Sequence, residues 1–312
     1  MKAIELPAPF AHYDWIDGVK QRKVFYCYSP LEDTQNVLVI CVGRRETGLK
    51  YAQLAQLFVN NGWSVVAIDH RGQGFSERLC NDPELGHVED FSFYIEDLKL
   101  LFNRLHLEQF GYRALLGHSL GGAIGTLYLD QYPQDFHRAL LLSPMFGIIT
   151  DPVPRWQAKV WIKRLCRKDK RLASPSFAPG QHRYEVTPFA ENLLTQDQDN
   201  YQQQLAQFEY YPALKLGGPS NCWIAECFHA MAEIARLKAL PIPVKVIAAE
   251  FDQIVDHQAQ LRFVRRQKRL GAQISYSWQT GAFHELLQEK KPICCEVIGQ
   301  IKQFFNLSPI DG

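Results

Sequence analysis

The sequence has little charge of either sign to spare, with 34 Lys and Arg against 33 Asp and Glu, a formal net of +1 and a pI near 7.6. That balance argues against a chain that holds nucleic acid along its surface, and no nucleic-acid partner is expected. Long hydrophobic runs are missing too: none approaches the ~18 uninterrupted apolar residues of a membrane span. The amino terminus M-K-A-I-E-L-P-A-P-F breaks its apolar stretch with Glu5 and Pro7, which makes a poor secretory signal. A cytoplasmic protein is expected, able to lie on a membrane but not to cross one. Cysteine is present without a pattern. The eight thiols, at 27, 41, 80, 166, 222, 227, 294 and 295, show no disulfide framework, and Cys222-x4-Cys227 has no second pair to complete a zinc site. They read as reduced thiols, with Cys27 and Cys41 in strand-like stretches and Cys294 and Cys295 in a helical one. No metal and no organic cofactor is expected. Internal repeats and low-complexity tracts are likewise lacking.

What is there is an alternation of short apolar runs and helical patterns. Strands are expected at 37–42, 63–69, 112–117, 138–143, 244–249 and 273–278, and helices at 51–60, 88–107, 120–131, 255–270 and 285–305. Near-continuous runs such as V-L-V-I-C-V suit a sheet covered on both faces, so the fold class is α/β with a mostly parallel, doubly wound sheet. The length of 312 residues fits one large domain with an insertion. The interval 143–244 breaks the rhythm, being far longer than a crossover of about a dozen residues or somewhat more. It is rich in Gln, Trp, Tyr and basic residues. Residues 1–145 plus 237–312 are therefore expected to form the core, and 146–236 an inserted, largely helical cap.

Gly117-His118-Ser119-Leu120-Gly121 matches G-x-S-x-G between an expected strand and an expected helix. A serine on so sharp a turn needs room on either side, and Gly117 and Gly121 supply it. The helix beginning at Leu120 aims its positive end at the reacting oxygen. Ser119 is thus the candidate nucleophile. His118 adjoins it but points away, and reads as structural.

A serine hydroxyl needs a base whose pKa lies near the working pH, and imidazole at ~6.5 is the natural one. Ten histidines compete. His284, in G-A-F-H-E, follows the last expected strand, at the sheet's carboxyl end where open α/β sheets place their sites. In hydrolases built on this elbow the orienting carboxylate lies between serine and histidine in the chain. Asp252, in E-F-D-Q-I-V-D, is the candidate; Glu250 is an alternative, and Asp256 reads instead as a helix amino-terminal cap. The oxyanion hole needs two backbone donors: the N–H of Leu120 and one from the loop after the first core strand, V-G-R-R-E, where Arg44 is the candidate. The stretch D-H-R-G-Q-G-F-S at 69–76 lacks the third glycine of a dinucleotide loop and reads as a tight turn under the site.

Together, G-H-S-L-G-G, D-H-R-G-Q-G-F-S, E-F-D-Q-I-V-D and G-A-F-H-E resemble the bacterial lysophospholipase and monoacylglycerol lipase family of α/β-hydrolases, over about 20–306. C-V-G-R-R-E-T-G-L-K-Y and G-G-P-S-N-C-W-I-A-E are similar, more narrowly, to the enterobacterial inner-membrane lysophospholipases. Monoacylglycerol lipases usually carry H-G-x-G-E where this chain has V-G-R-R-E. The resemblance implies hydrolysis of the remaining acyl ester of a lysophospholipid through an acyl-Ser119 intermediate, with acyl transfer as a second outcome, and a place on the cytoplasmic face of the inner membrane. A monoacylglycerol lipase, a short-ester esterase and a catalytically inactive lipid-binding homologue stay open as alternatives.

Within the expected cap, Lys159, Lys163, Arg164, Arg167, Lys168, Lys170 and Arg171 crowd one stretch. On a helix they cover about half the surface, opposite Trp161, Ile162, Leu165 and Leu172. Such a helix suits either contact with anionic membrane or a solvated basic face. An arginine such as Arg44 or Arg45 is also a candidate for a substrate phosphate, and the sequence does not choose between them.

Overall fold

The computed structural model describes residues 3–32, 34–150 and 152–307. Along the chain run β1 (His12–Asp17), β2 (Lys23–Tyr28), β3 (Asn36–Cys41), α1 (Ala52–Val59), β4 (Trp63–Ile68), α2 (Ser92–Arg104), β5 (Tyr112–His118) and α3 (Leu120–Gln131). They are followed by β6 (Arg138–Leu142), α4 (Arg155–Leu172), α5 (Gln198–Tyr210), α6 (Asn221–Ile234), β7 (Val244–Ala249), α7 (His257–Arg269), β8 (Ile274–Gln279) and α8 (Lys291–Phe305). The strands make one sheet in the order β1-β2-β4-β3-β5-β6-β7-β8, in which β2 is antiparallel to both its neighbours and β3 to β8 are parallel. This is the α/β-hydrolase arrangement.

The six expected strands are all present. β3 shows why the parallel ones read as continuous apolar runs. Val37, Val39 and Cys41 pack with α2 and α3 on one face, and Leu38 and Ile40 with α1 and α8 on the other. Of the hairpin of β1 and β2, only the strand-like stretch around Cys27, in β2, was expected, and β1 was not. Only Ile16 of β1 is buried, because this is the sheet's edge, so H-Y-D-W-I-D carries no apolar run. The last helix starts at Lys291 and not at 285. Residues 285–290 are held in turns, with the Glu285 N–H donating to the Leu194 carbonyl at 2.8 Å and the Glu289 carboxylate accepting from the Phe283 N–H at 2.7 Å.

β3 pairs with β4 on one side and β5 on the other, so the chain reverses its winding there and opens a crevice beyond the strands' carboxyl ends. The stretch between β6 and β7 carries α4, α5 and α6 over that end of the fold. α6 is no loose appendage. Trp223, Cys227, Phe228, Met231 and Ile234 join the core cluster that covers the sheet. α4 sits on α6 through Ile162 and Cys166 against Cys222 and Ala225.

That packing corrects the expected faces of α4. Its inward stripe is Ile162, Cys166 and Asp169, spaced i, i+4, i+7. Trp161 and Leu172 point outward with the cations, 57% and 58% exposed. Trp161 lies about 100° around the helix from Ile162, too far to share its stripe. Asp169, charged in the sequence, is buried because its carboxylate accepts from the Ser176 N–H at 3.0 Å and from the Asn221 side-chain amide at 3.0 Å.

Candidate active site

Ser119 stands between β5 and α3 with φ 50° and ψ −113°, outside the ordinary regions for a side-chain-bearing residue. Its flanking glycines are dictated by space. A Cβ on Gly121 would lie 1.9 Å from the Cys41 carbonyl oxygen, and one on Gly117 would lie 2.7 Å from the Gly121 carbonyl oxygen. The elbow is thus wedged against β3, and among the described residues no hydrogen bond uses the N–H of Leu120 or of Arg44. Both are the donors expected for an oxyanion, one from the elbow and one from the loop after β3.

Of the three carboxylates near the end of β7, the structure brings Asp252 to the histidine. Asp252 Oδ2 lies 2.7 Å from His284 Nδ1. Its other oxygen accepts from the N–H groups of Ile254 and Val255 at 2.9 and 3.0 Å. Burial alone would raise the Asp252 pKa; the His284 ring and these two N–H groups outweigh it and hold the carboxyl below its ordinary value. A carboxylate can only accept, so Nδ1 carries the hydrogen and the lone pair of Nε2 is left for another proton. Asp256 caps α7, accepting from the Gln258 N–H at 2.9 Å. Glu250 accepts from the Gly281 N–H at 2.7 Å and so pins the turn that carries His284.

Beneath these groups lies a buried charge cluster that sequence pattern alone did not disclose. Lys50 Nζ lies 2.7 Å from both Glu46 and Glu285. Glu46 also accepts from the Tyr51 hydroxyl at 2.7 Å and from the Gly43 N–H. His118 Nδ1 makes a 3.0 Å charge contact with Glu46, without hydrogen-bond alignment. Burial pulls the His118 pKa down, but Glu46 more than offsets it and the net shift is upward. Burial likewise penalises charge on Glu46, yet His118 and Lys50 hold its carboxyl well below the usual range. The cluster ties the loop after β3 to the loop that carries His284. From the other side, the Gln73 side-chain amide donates to the Gly43 carbonyl at 2.7 Å, so the D-H-R-G-Q-G-F-S turn does support the floor of the site. The legible signals were Glu46 and Lys50 at i, i+4 and Glu285 beside the histidine, but nothing in the sequence says these two loops meet.

Ser119 and His284 line one cavity of about 550 Å³ together with Arg44 and Arg45. Its far wall comes from the insertion and is mixed, with Leu193, Leu194, Leu205 and Phe208 beside polar residues such as Gln181, Glu191 and Gln204. Lys159, Lys163, Arg164, Arg167 and Lys168 are not on this wall. They stand on the outer surface of α4, and among the described residues none of them has an ion-pair partner. No helix is long and apolar enough to cross a membrane among the described residues.

Comparison with known proteins agrees with this architecture. Residues 32–291 match the family model Hydrolase_4, described as serine aminopeptidase, S33. The chain is 34% identical to lysophospholipase L2 of Escherichia coli (strain K12) over 301 residues, covering 95% of this chain and 87% of that protein. It is 26% identical to a probable lysophospholipase L2 of Haemophilus influenzae over 297 residues, covering 94% and 91%. A soluble variant of monoglyceride lipase from Saccharomyces cerevisiae superposes with a TM-score of 0.72 at 16% identity, covering 96% of this chain and 99% of that one, a likeness of fold. With the elbow, the acid–histidine pair and the family match in agreement, the chain belongs to the S33 serine hydrolase family and is a serine ester hydrolase of the α/β-hydrolase fold.

Proposed function

We propose that the protein is a lysophospholipase in which Ser119 is the nucleophile, His284 the general base and Asp252 the acid that orients it. The observation that carries the mechanism is the cavity in which Ser119 and the Asp252-held His284 face a wall from the insertion that includes Leu193, Leu194, Leu205 and Phe208. The lysophospholipid assignment is favoured by the 34% identity to lysophospholipase L2 over most of both chains.

The Ser119 hydroxyl attacks the acyl carbonyl while His284 Nε2 takes its proton. Oxyanion charge falls on the N–H groups of Leu120 and Arg44, donors worth about 10²–10³ in rate each. Collapse breaks the ester C–O bond, and the imidazolium returns its proton to the departing glycerophospho-alcohol. Water, deprotonated by His284, then attacks the acyl-serine and releases the fatty acid. A second alcohol in place of water gives acyl transfer by the same steps. The Asp252 carboxylate keeps Nδ1 protonated and stabilises the imidazolium without accepting the proton.

Residues 146–236 serve in this reading as the cap, their inner wall holding the acyl chain and the outer face of α4 meeting anionic membrane from the cytoplasmic side. Trp156 and Trp161, 68% and 57% exposed, lie among unpaired cations there, the composition of an interfacial surface. The test is fatty-acid release from lysophosphatidylethanolamine, monoolein and p-nitrophenyl butyrate by wild type and Ser119→Ala. Preference for the lysophospholipid, abolished by the substitution, is the expected result. Faster turnover of monoolein would replace the assignment with a monoacylglycerol lipase, and Ser119-independent release would remove the mechanism.

A further inference from the structure

Two arginines enter the cavity on the loop after β3, and the structure gives them different work. Arg44 is anchored. Its Nη2 donates to the Gly217 carbonyl at 2.6 Å, its guanidinium lies 5.2 Å over the Trp223 ring, and Gly86 is a glycine because a Cβ would lie 2.5 Å from Nη2. Its side chain therefore braces the insertion against the body of the protein. Burial, followed by the neighbouring charge of Arg45, pulls the Arg44 pKa down to about 9.

Arg45 is not anchored. Among the described residues it makes no hydrogen bond and no ion pair; the Tyr184 ring lies 5.4 Å away, and Glu285 and Tyr201 act on it only through their charge, at longer range. It lines the cavity that holds Ser119 and also the adjoining one, of about 370 Å³, walled by Gln181, Tyr184 and Thr187. The backbone at Arg45 is left-handed, with φ 64°, a region that a side-chain-bearing residue enters at a cost. Glu285, the carboxylate nearest in chemistry to pair with it, is taken by Lys50 at 2.7 Å. Glu185 and Glu191 also line the cavity, but neither pairs with Arg45. A half-buried guanidinium that spends no donor on the described residues, held on a left-handed backbone in the wall of the nucleophile's own cavity, is fitted to receive an anion.

Resting on the lysophospholipid reading above, the geometry points to Arg45 as the residue that receives the phosphodiester of the substrate headgroup. The connectivity fits. The acyl carbonyl oxygen would sit on the Arg44 N–H, and the phosphate lies one glycerol unit beyond the ester, within reach of the next residue's side chain. Arg45 would thereby separate lysophospholipids from neutral monoacylglycerols of the same chain length, and Arg44 would not.

The test compares wild type with Arg45→Gly, which relieves the left-handed φ as it removes the cation, and with Arg45→Lys, which keeps a point charge without the planar fork. The ratio of kcat/KM for lysophosphatidylethanolamine to that for a monoacylglycerol of the same acyl chain is expected to fall about 10–100-fold in Arg45→Gly, with Arg45→Lys between. An unchanged ratio in Arg45→Gly would overturn the assignment. Protection of Ser119 from a fluorophosphonate probe gives a readout independent of turnover. Glycerophosphoethanolamine is expected to protect wild type far better than glycerol does, and to lose that advantage in Arg45→Gly. Equal protection of the two proteins, none in wild type, or protection by inorganic phosphate but not by the diester would each overturn it. If wild type prefers monoacylglycerol while the diester still protects through Arg45, the lysophospholipase reading falls and the phosphate site stands.

Discussion

At the scale of single residues, the site is governed by which side chains are forced to share a buried volume. His118 illustrates this. It is next to the nucleophile in the chain, yet its ring turns away to Glu46, and its Nε2 lies 3.4 Å from the His284 carbonyl. Its pKa is raised on folding, so the native state binds its proton more tightly than the unfolded chain does. The stabilisation is fully present below the unfolded value of ~6.5 and is lost as pH rises through the folded value above it. His118→Gln should therefore destabilise more at pH 6 than at pH 9. Denaturant melts of both proteins at the two pH values check this, and a gap that widens with pH would refute the charged state. Ser119, His284 and Asp252 were legible as residue types at fixed places relative to strands. The Glu46–Lys50–Glu285 cluster was not, because its members come from loops far apart in the chain and are united only by the fold.

At the scale of elements, strongly patterned segments were legible and weakly patterned ones were not. β3 to β7 declare themselves because both faces are covered, whereas β1, at one edge, shows five exposed residues of six and no signal to find. α4 was legible as a basic helix but its faces were misassigned, since Cys166 and Asp169 do not look like the packing stripe they form with Ile162. The contact of α3 with β3 has a sharper consequence. A methyl group at Gly121 would sit 1.9 Å from the Cys41 carbonyl oxygen and 2.6 Å from that of Val42, both fixed backbone atoms. α3 has to move off β3 to admit it, at a cost of about 3 kcal/mol or more. Gly121→Ala should lower Tm by roughly 4–5 °C or more, or fail to fold. Gly299 on α8 is the control. A methyl group there would have nothing within 4 Å, so Gly299→Ala should leave stability unchanged or raise it by about 0.5–1 kcal/mol. Equal Tm values for wild type and Gly121→Ala would show that the elbow tolerates the strain.

At the scale of the whole molecule, near-neutrality conceals a polarised charge distribution. The chain carries a formal +1, yet α4 alone holds eight basic side chains against one acidic, and that one, Asp169, is buried. The rest of the chain is therefore net acidic, so the proposed contact with an anionic surface is expected to form with α4 foremost. Cations near such a surface contribute about 1 kcal/mol each, and the attraction fades beyond a Debye length of about 8–10 Å at physiological salt. Trp156, Val160 and Trp161 on the same outer face offer apolar surface that needs no long-range field. Two contributions with different salt dependence follow. Binding to vesicles containing phosphatidylglycerol should exceed binding to phosphatidylcholine vesicles, and most of the excess should vanish as salt rises to about 0.5 M. Replacing Lys159, Lys163, Arg167 and Lys168 together by Gln should remove at least tenfold of the affinity for anionic vesicles. Hydrolysis of p-nitrophenyl butyrate, which is dissolved in water, should not follow these changes, because α4 lies outside the cavity lining. Co-sedimentation with vesicles at two salt concentrations, run beside the soluble-ester assay, separates the two effects. Equal sedimentation of wild type and the fourfold variant would mean that the cations are merely solvated and that the outer face of α4 has no part in reaching the substrate.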